Sequence, residues 1–336
     1  MNTPKVTIHD IAKRLNIDSS TVSRALNNSP RVTQKTKDKI MATAQSMGYQ
    51  RNLLASNLRK NVTHSIGVVI PRISRHFFSS AIQGIEETAY KSGYSVIICQ
   101  SLEELNRERD IIQTLVANRV AGVLISISME TTDYEHLKIL KSQDIPHVFF
   151  DRHCEIPGYN NVIINDYNGG YTATKHLISK GCKEILHFSG PGHLAIYKNR
   201  LEGYKKALSD NSISLKSENI ISSRLMELDG KIIVKKLLDN KRKFDGIFCA
   251  NDQIAIGVIK YLNEVGIKIP EQVAIVGFSN EPVSDVITPS LTTIDQPGFE
   301  MGIKATELLL KNLNGKLASE TIVMKTSLIE RRSSQK

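Results

Sequence analysis

Two periodicities divide the chain. From Ile8 to about residue 47, apolar positions recur every three or four residues. From Ser65 onward, short and wholly apolar runs alternate with longer amphipathic stretches. In the first region Ile8, Ile11, Ala12 and Leu15 make one stripe, Val22 and Leu26 a second, and Ile40, Ala44 and Met47 a third. This pattern predicts three short helices. The punctuation agrees: Thr7 with Asp10 has a capping-box spacing, and Asp18 and Thr33 are further N-cap candidates. Asn16 and Gly48 tolerate the left-handed turn that ends a helix. A tight turn at Asn16 sets the second helix across the first and leaves Ser19, Ser20, Ser23 and Arg24 on its outer face. That is the helix-turn-helix plan, in which the second helix enters the major groove. A plain helical hairpin is the alternative.

Residues 49–60 are helix-compatible but too short to hold a helix alone, and read as a linker. Beyond them, apolar runs at 66–70, 96–99, 123–127, 148–150, 162–164, 185–188, 247–249 and 273–278 predict strands. Amphipathic stretches near 78–92, 104–118, 133–142, 167–180, 197–209, 229–238 and 252–265 predict the helices between most of them. Buried strands alternating with helices imply parallel sheets, and their number implies two α/β lobes rather than one. Ligands of such folds bind at the carboxyl ends of the strands, often between lobes.

Charge sharpens the first region. Residues 1–60 hold 11 Lys and Arg against 3 Asp and Glu, so +8 of the chain's net +10 sits there. This is an electrostatic footprint for a polyanion, and double-stranded DNA is the expected partner. A membrane surface is disfavoured, because the apolar stripes are narrow and carry no Trp or Phe. No apolar run approaches the ~20 residues of a membrane span, and no apolar signal region opens the chain, so a cytoplasmic location is expected. Cys99, Cys154, Cys182 and Cys249 are scattered without zinc spacing, so no metal site is expected. The strongest enzyme signal is Gly190-Pro-Gly-His-Leu-Ala195, which formally matches G-x-G-x-x-A. Pro191 interrupts that loop, and the nearest suitable acid, Asp210, falls short of the usual spacing of about 20 residues. No catalytic residues and no cofactor are therefore expected.

Several stretches together resemble the lac repressor/galactose repressor family of bacterial transcription regulators. They are Val6-Thr-Ile-His-Asp-Ile-Ala, Ser20-Thr-Val-Ser-Arg-Ala-Leu-Asn27, Gly48-Tyr49, Ser65-Ile-Gly-Val-Val-Ile-Pro71, Gly84-Ile-Glu86, Asn165-Asp-Tyr-Asn-Gly-Gly170, Ala250-Asn-Asp252, Pro289-Ser-Leu-Thr-Thr-Ile294 and Leu328-Ile-Glu-Arg-Arg-Ser333. The resemblance covers nearly the whole length. It implies an all-α helix-turn-helix domain over 1–49, a hinge helix or linker over 50–61, and an effector-binding and dimerisation domain over 62–333. That last domain is expected to be α/β, two-lobed and like the type I periplasmic binding proteins, with the chain crossing between lobes near 163, 291 and 322.

The resemblance also implies roles. Arg24 suits guanine O6 and N7, while Ser19 and Ser20 face base edges without specifying one base. Thr7, Thr21, Ser23, Asn27, Tyr49, Asn52 and Ala55 complete the expected DNA-contacting set. Leu58 matches a hinge leucine wedged into the minor groove. In the cleft, Phe77, Phe78, Asp151, Arg152, Arg200, Asn251 and Ser279 are the expected effector residues. The effector is expected to be a sugar, sugar acid or phosphosugar. Ser279 stands where sugar-binding members usually carry Asp, which favours an anionic effector paired with Arg152 and Arg200. No leucine heptad follows Ser333, so a homodimer on a palindromic operator is expected. Control chiefly by a phosphorylated carrier protein is the alternative within this fold, and a nucleotide-dependent α/β enzyme the alternative outside it.

Overall fold

The three N-terminal helices form where their caps allow. In the computed structural model, which describes residues 6–49, 63–315 and 318–336, α1 spans Ile8–Leu15, α2 Ser19–Leu26 and α3 Gln34–Ser46. The Thr7 hydroxyl accepts from the Asp10 N–H at 3.4 Å, and the Asp10 carboxylate accepts from the Thr7 N–H at 2.8 Å, a complete capping box. Asn16 closes α1 at φ 52°. The Asp18 carboxylate then caps α2 through the Ser20 N–H at 2.6 Å, and the Thr33 hydroxyl caps α3 through the Thr36 N–H at 3.4 Å. Ile11, Val22 and Ile40, one from each helix, are wholly buried together. On α2 the second buried residue is Ala25, and Leu26 packs half-buried at the margin. This unit ends at Asn61 and a second begins at Val62.

The second unit starts with β1 (Ser65–Ile70), α4 (His76–Lys91), β2 (Ser95–Gln100), α5 (Leu105–Ala117), β3 (Gly122–Ile125), α6 (Lys138–Ser142), β4 (His147–Phe150) and β5 (Asn160–Ile164). It continues with α7 (Asp166–Ser179), β6 (Ile185–Ser189), α8 (Ala195–Asp210), β7 (Ile220–Ser222), α9 (Glu227–Asp239), β8 (Gly246–Cys249), α10 (Asp252–Glu264), β9 (Ala274–Ser279), α11 (Val283–Val286) and β10 (Thr292–Asp295). The last elements are α12 (Gly298–Leu313), β11 (Thr321–Met324) and β12 (Ser327–Ile329). Two six-stranded sheets result, ordered β11-β5-β4-β3-β1-β2 in lobe 1 and β12-β10-β9-β8-β6-β7 in lobe 2. Every strand pair is parallel except β10 with β12.

The chain leaves lobe 1 after Ile164, returns after Asp295 and crosses again between Met324 and Ser327. Each passage lies a little beyond the positions expected at 163, 291 and 322, because a strand is completed first. Four strands had no apolar run to announce them. β7, β10, β11 and β12 are short and partly polar, as in Thr292-Thr-Ile-Asp295. The helix α12 was also not foreseen, and it packs back onto lobe 1 against α4 and β3–β5.

Alternation along each strand sends neighbours to opposite faces. Val69, Phe149, Phe188 and Ile275 join one apolar layer, while Val68, Phe150, Phe248 and Val276 join the other. Both layers run through both lobes. Helices pack closely over them because glycines let backbones touch. A methyl group at Gly84 of α4 would strike the Phe299 carbonyl of α12, and one at Gly302 of α12 would strike the Ala81 carbonyl of α4. The same reciprocal arrangement joins Gly170 and Gly203 in α7 and α8, and Gly230 and Gly257 in α9 and α10.

Candidate functional site

The N-terminal unit presents α2 with one face buried and the other open. Val22 and Ala25 are in its core, Ser20, Arg24 and Asn27 are exposed, and Ser19, Thr21 and Ser23 are half-buried. Five short polar side chains and a guanidinium therefore share a surface that a groove could reach. Two of the expected contact residues already have structural partners. The Thr7 hydroxyl donates to Asp10 at 2.7 Å within the cap, and the Asn27 side chain donates to the Ser23 carbonyl at 2.8 Å. The Thr7 hydrogen bonds hold the Asp10 carboxyl below its ordinary range. Tyr49 packs half-buried against the three-helix core. Asn52, Ala55 and Leu58, with the rest of 50–61, lie outside the described residues.

In the second unit, the loops after the strands of both lobes converge on two cavities. One, of about 190 Å³, is lined by Arg72, Arg75, Glu103, Met129 and Arg152 from lobe 1 and by Tyr197, Arg224, Met226 and Asn251 from lobe 2. The other, of about 260 Å³, has His76, Phe77 and Ser80 on the lobe 1 side, Ser279, Asn280 and Asp295 on the lobe 2 side, and Gln296 to Glu300 along the second passage. Both lie where carboxyl ends of parallel strands face each other across a gap, the position the fold makes concave.

The structure places the expected effector residues unevenly. Arg152 and Asn251 line the first cavity, and Phe77 and Ser279 the second. Phe78 turns inward and meets Phe150 edge-on at 6.4 Å. Asp151 and Arg200 lie behind the cavities, 5 % and 3 % exposed. Asn251 is engaged as the cap of α10, accepting from the Ile254 N–H at 3.0 Å and donating to the Leu225 carbonyl at 3.2 Å. Gln296 joins the two lobes. It donates to Asp151 at 2.7 Å and accepts from the Ser279 hydroxyl at 3.3 Å. Glu103, Asp151 and Ser279 all have positive φ, at 70°, 59° and 117°. Strain of this kind costs about 1–3 kcal/mol per residue and persists where surrounding contacts fix the backbone.

The arginines foreseen as anion partners are already neutralised. Arg152 holds Glu103 in a two-pronged pair at 2.6 and 3.1 Å. Burial opposes both charges; Tyr197 and Glu103 nevertheless hold the Arg152 guanidinium above its usual range, and Arg152 holds Glu103 below its own. Arg200 donates to Asp166 at 2.7 Å and to the Ala250 carbonyl at 2.6 Å, and lies 3.5 Å over the Phe278 ring. Burial pushes the Asp166 carboxyl up to about 6 despite Arg200. It also pushes Asp252 to about 6, against hydrogen bonds from Thr293, the Glu281 N–H and Ser284. Sequence reasoning missed Arg72, Arg75, Glu103, Tyr197 and Arg224. The available signal was positional, since all but Tyr197 lie in loops shortly after a strand.

A helix-turn-helix unit joined in one chain to a two-lobed cleft defines a DNA-binding regulator with an effector-binding domain. Comparison with known proteins gives the family. Residues 7–52 match "Bacterial regulatory proteins, lacI family" and residues 174–334 match "Periplasmic binding protein-like domain". The chain is 32 % identical over 311 residues to the HTH-type transcriptional repressor PurR of Vibrio atlanticus (strain LGP32), covering 92 % of each. It is 32 % identical over 314 residues to the ribose operon repressor of Halalkalibacterium halodurans, covering 92 % of this chain and 91 % of that one. The Lac repressor dimer bound to operator and the anti-inducer ONPF shares its fold, with a TM-score of 0.88 at 24 % identity over 98 % of this chain and 99 % of that one. The chain belongs to the LacI family of transcription regulators.

Proposed function

We propose that this regulator is a cytoplasmic repressor that binds a palindromic operator as a homodimer and answers to a small carbohydrate-type effector between its lobes. The observation that carries the DNA reading is the face of α2. Ser20 and Arg24 stand exposed on a helix whose opposite side is locked into a three-helix core. Arg24 reads guanine, Ser19 and Ser20 meet base edges, and Thr21 and Ser23 meet phosphate. Leu58 wedges the minor groove at the operator centre. The paired recognition helices of a dimer require half-sites related by the same two-fold axis. Effector binding changes lobe closure and with it the spacing of the two DNA-binding units. The coupling is reciprocal, so operator DNA must shift effector affinity by the same factor.

The test is fluorescence anisotropy on an operator selected from random-sequence duplexes. A dimer neutralising about 6–8 phosphates should give a slope of log K against log salt near −5 to −7. Arg24→Ala should cost about 1–3 kcal/mol on the selected site and far less on unrelated DNA. A slope near zero, or equal losses on both DNAs, defeats the reading.

A further inference from the structure

Guanidinium groups dominate the smaller cavity, and only Arg152 among them is closely paired with a carboxylate among the described residues. Four arginines and one glutamate are its charged lining. Glu103 is fully engaged, with one oxygen on Arg152 and the other shared between Arg152 and the Met129 N–H at 2.8 Å. That leaves Arg72, Arg75 and Arg224. The Arg72 side chain makes no hydrogen bond or salt bridge among the described residues. Arg75 donates to the Met226 thioether at 3.2 Å, a weak acceptor reached across the gap between the lobes. Arg224 has Glu130 at 3.8 Å, a loose pair on the exposed rim. Glu281, the other nearby acid, is buried and hydrogen-bonded to Gln253.

Two further features demand acceptors. Arg152 is 7 % exposed, and its Nε has no hydrogen-bond partner. Arg75 is the N-cap of the sixteen-residue helix α4 and supplies no side-chain cap. The first N–H groups of that helix therefore receive no side-chain acceptor from its cap. Burial, reinforced by Arg72, lowers the Arg75 guanidinium in spite of Glu281 and Tyr197. The protein groups of this cavity hold cations against solvation cost with little to balance them.

A neutral sugar is badly served here. Its hydroxyls are donors as well as acceptors, and the lining offers no free carboxylate. A phosphate monoester supplies the reverse, a dianion with several acceptor oxygens matched to guanidinium forks. We propose that the effector is a small phosphorylated sugar whose phosphate is held by Arg72, Arg75 and Arg224. This deepens the effector reading given above and rests on it. It also moves the anion away from Arg152 and Arg200, whose charges are already matched. The arginines sit on opposite sides of the gap, Arg72 and Arg75 after β1 and Arg224 after β7. The phosphate would therefore draw the lobes together by bridging like charges that otherwise repel.

Calorimetry and melting temperature at fixed ionic strength test this on the full-length protein. The probes are glucose 6-phosphate with glucose, ribose 5-phosphate with ribose, and inorganic phosphate alone. A phosphate ester should bind at least about a hundredfold more tightly than its own neutral sugar, since two or more charge-assisted hydrogen bonds are gained. Arg224→Ala, at an exposed position, should weaken that ester about tenfold or more, and Arg224→Lys should restore part of the loss. Arg75→Ala should act in the same direction, with the ligand-free melting temperature of each variant checking the fold. A neutral sugar that binds as tightly as its ester overturns the phosphate assignment and leaves the effector cleft standing. Binding of an ester that Arg224→Ala leaves unchanged also overturns it. Absence of binding by every ester and every sugar overturns the effector reading together with it.

Discussion

His187 shows how one residue carries a pH dependence into the whole fold. Its ring lies between Tyr204 and Phe248, with centroids 5.1 and 4.6 Å away. Nδ1 meets the Phe248 carbonyl at 3.1 Å, and Nε2 has no partner. Burial, with a push from Arg200, lowers its pKa from 6.5 to about 3. The folded protein thus keeps the ring neutral where the unfolded chain protonates it. Stability from this residue is complete above pH 6.5 and is lost as pH falls from there towards 3. At pH 5 the loss is about 2 kcal/mol. His187→Phe keeps the stacking, and its melting temperature should fall less between pH 7.5 and pH 5 than that of the parent. Parallel falls would exclude the ring as the source. The cleft arginines teach a second lesson at this scale. Arg152 and Arg200 were visible as candidates, but their partners Glu103 and Asp166 lie 49 and 34 residues away in sequence. Charge at a site depends on such distant pairings, so the sequence showed the cations without showing which were neutralised.

Among elements, legibility followed apolar content. Strands buried on both faces, such as Val68 with Val69 or Phe149 with Phe150, announce themselves as unbroken runs. β10 and β12 carry Thr292, Thr293 and Ser327, and the two threonines are satisfied laterally: the Thr292 N–H by Ser333 at 2.9 Å, the Thr293 hydroxyl by Asp252 at 2.6 Å. No local pattern encodes that. Helix crossings were equally silent, since a glycine inside a helix reads as a weak point rather than as a contact. Gly302→Ala tests the point. Alanine is intrinsically the better helix former by about 1 kcal/mol. The added methyl would meet the Ala81 carbonyl and force α4 and α12 apart, so net destabilisation of about 1–3 kcal/mol is expected in urea unfolding. A stabilised variant would mean that the two helices can part without cost.

For the whole molecule, the proposed dimer needs a surface. β2 is one of the two edge strands of lobe 1, and Ile97 and Ile98 on it are 37 % and 42 % exposed. Helix α9 of lobe 2 carries Leu228 and Ile232, 63 % and 55 % exposed. Unpaired strand edges with apolar side chains attract partners. Ile98→Asp should shift sedimentation from dimer to monomer at micromolar concentration and make operator binding steeply dependent on protein concentration. A variant that remains dimeric places the interface elsewhere.

Lobe 1 is not finished when the chain first leaves it. Residues 298–324, which follow all five parallel strands of lobe 2, supply its helix α12 and its outer strand β11. Met301, Ala305, Leu308 and Leu309 of that helix are buried in the apolar layer shared with Leu124, Val148 and Phe150. A chain emerging from the ribosome therefore builds in an order unlike its sequence. Lobe 2 can close its parallel strands while lobe 1 still shows bare β3 and β4 to solvent. Chaperone capture or misassembly has its opening in that interval, while residues 185–295 have been made and residue 313 has not. A nonsense codon just past Asp295 would leave lobe 1 with an unsheltered apolar face.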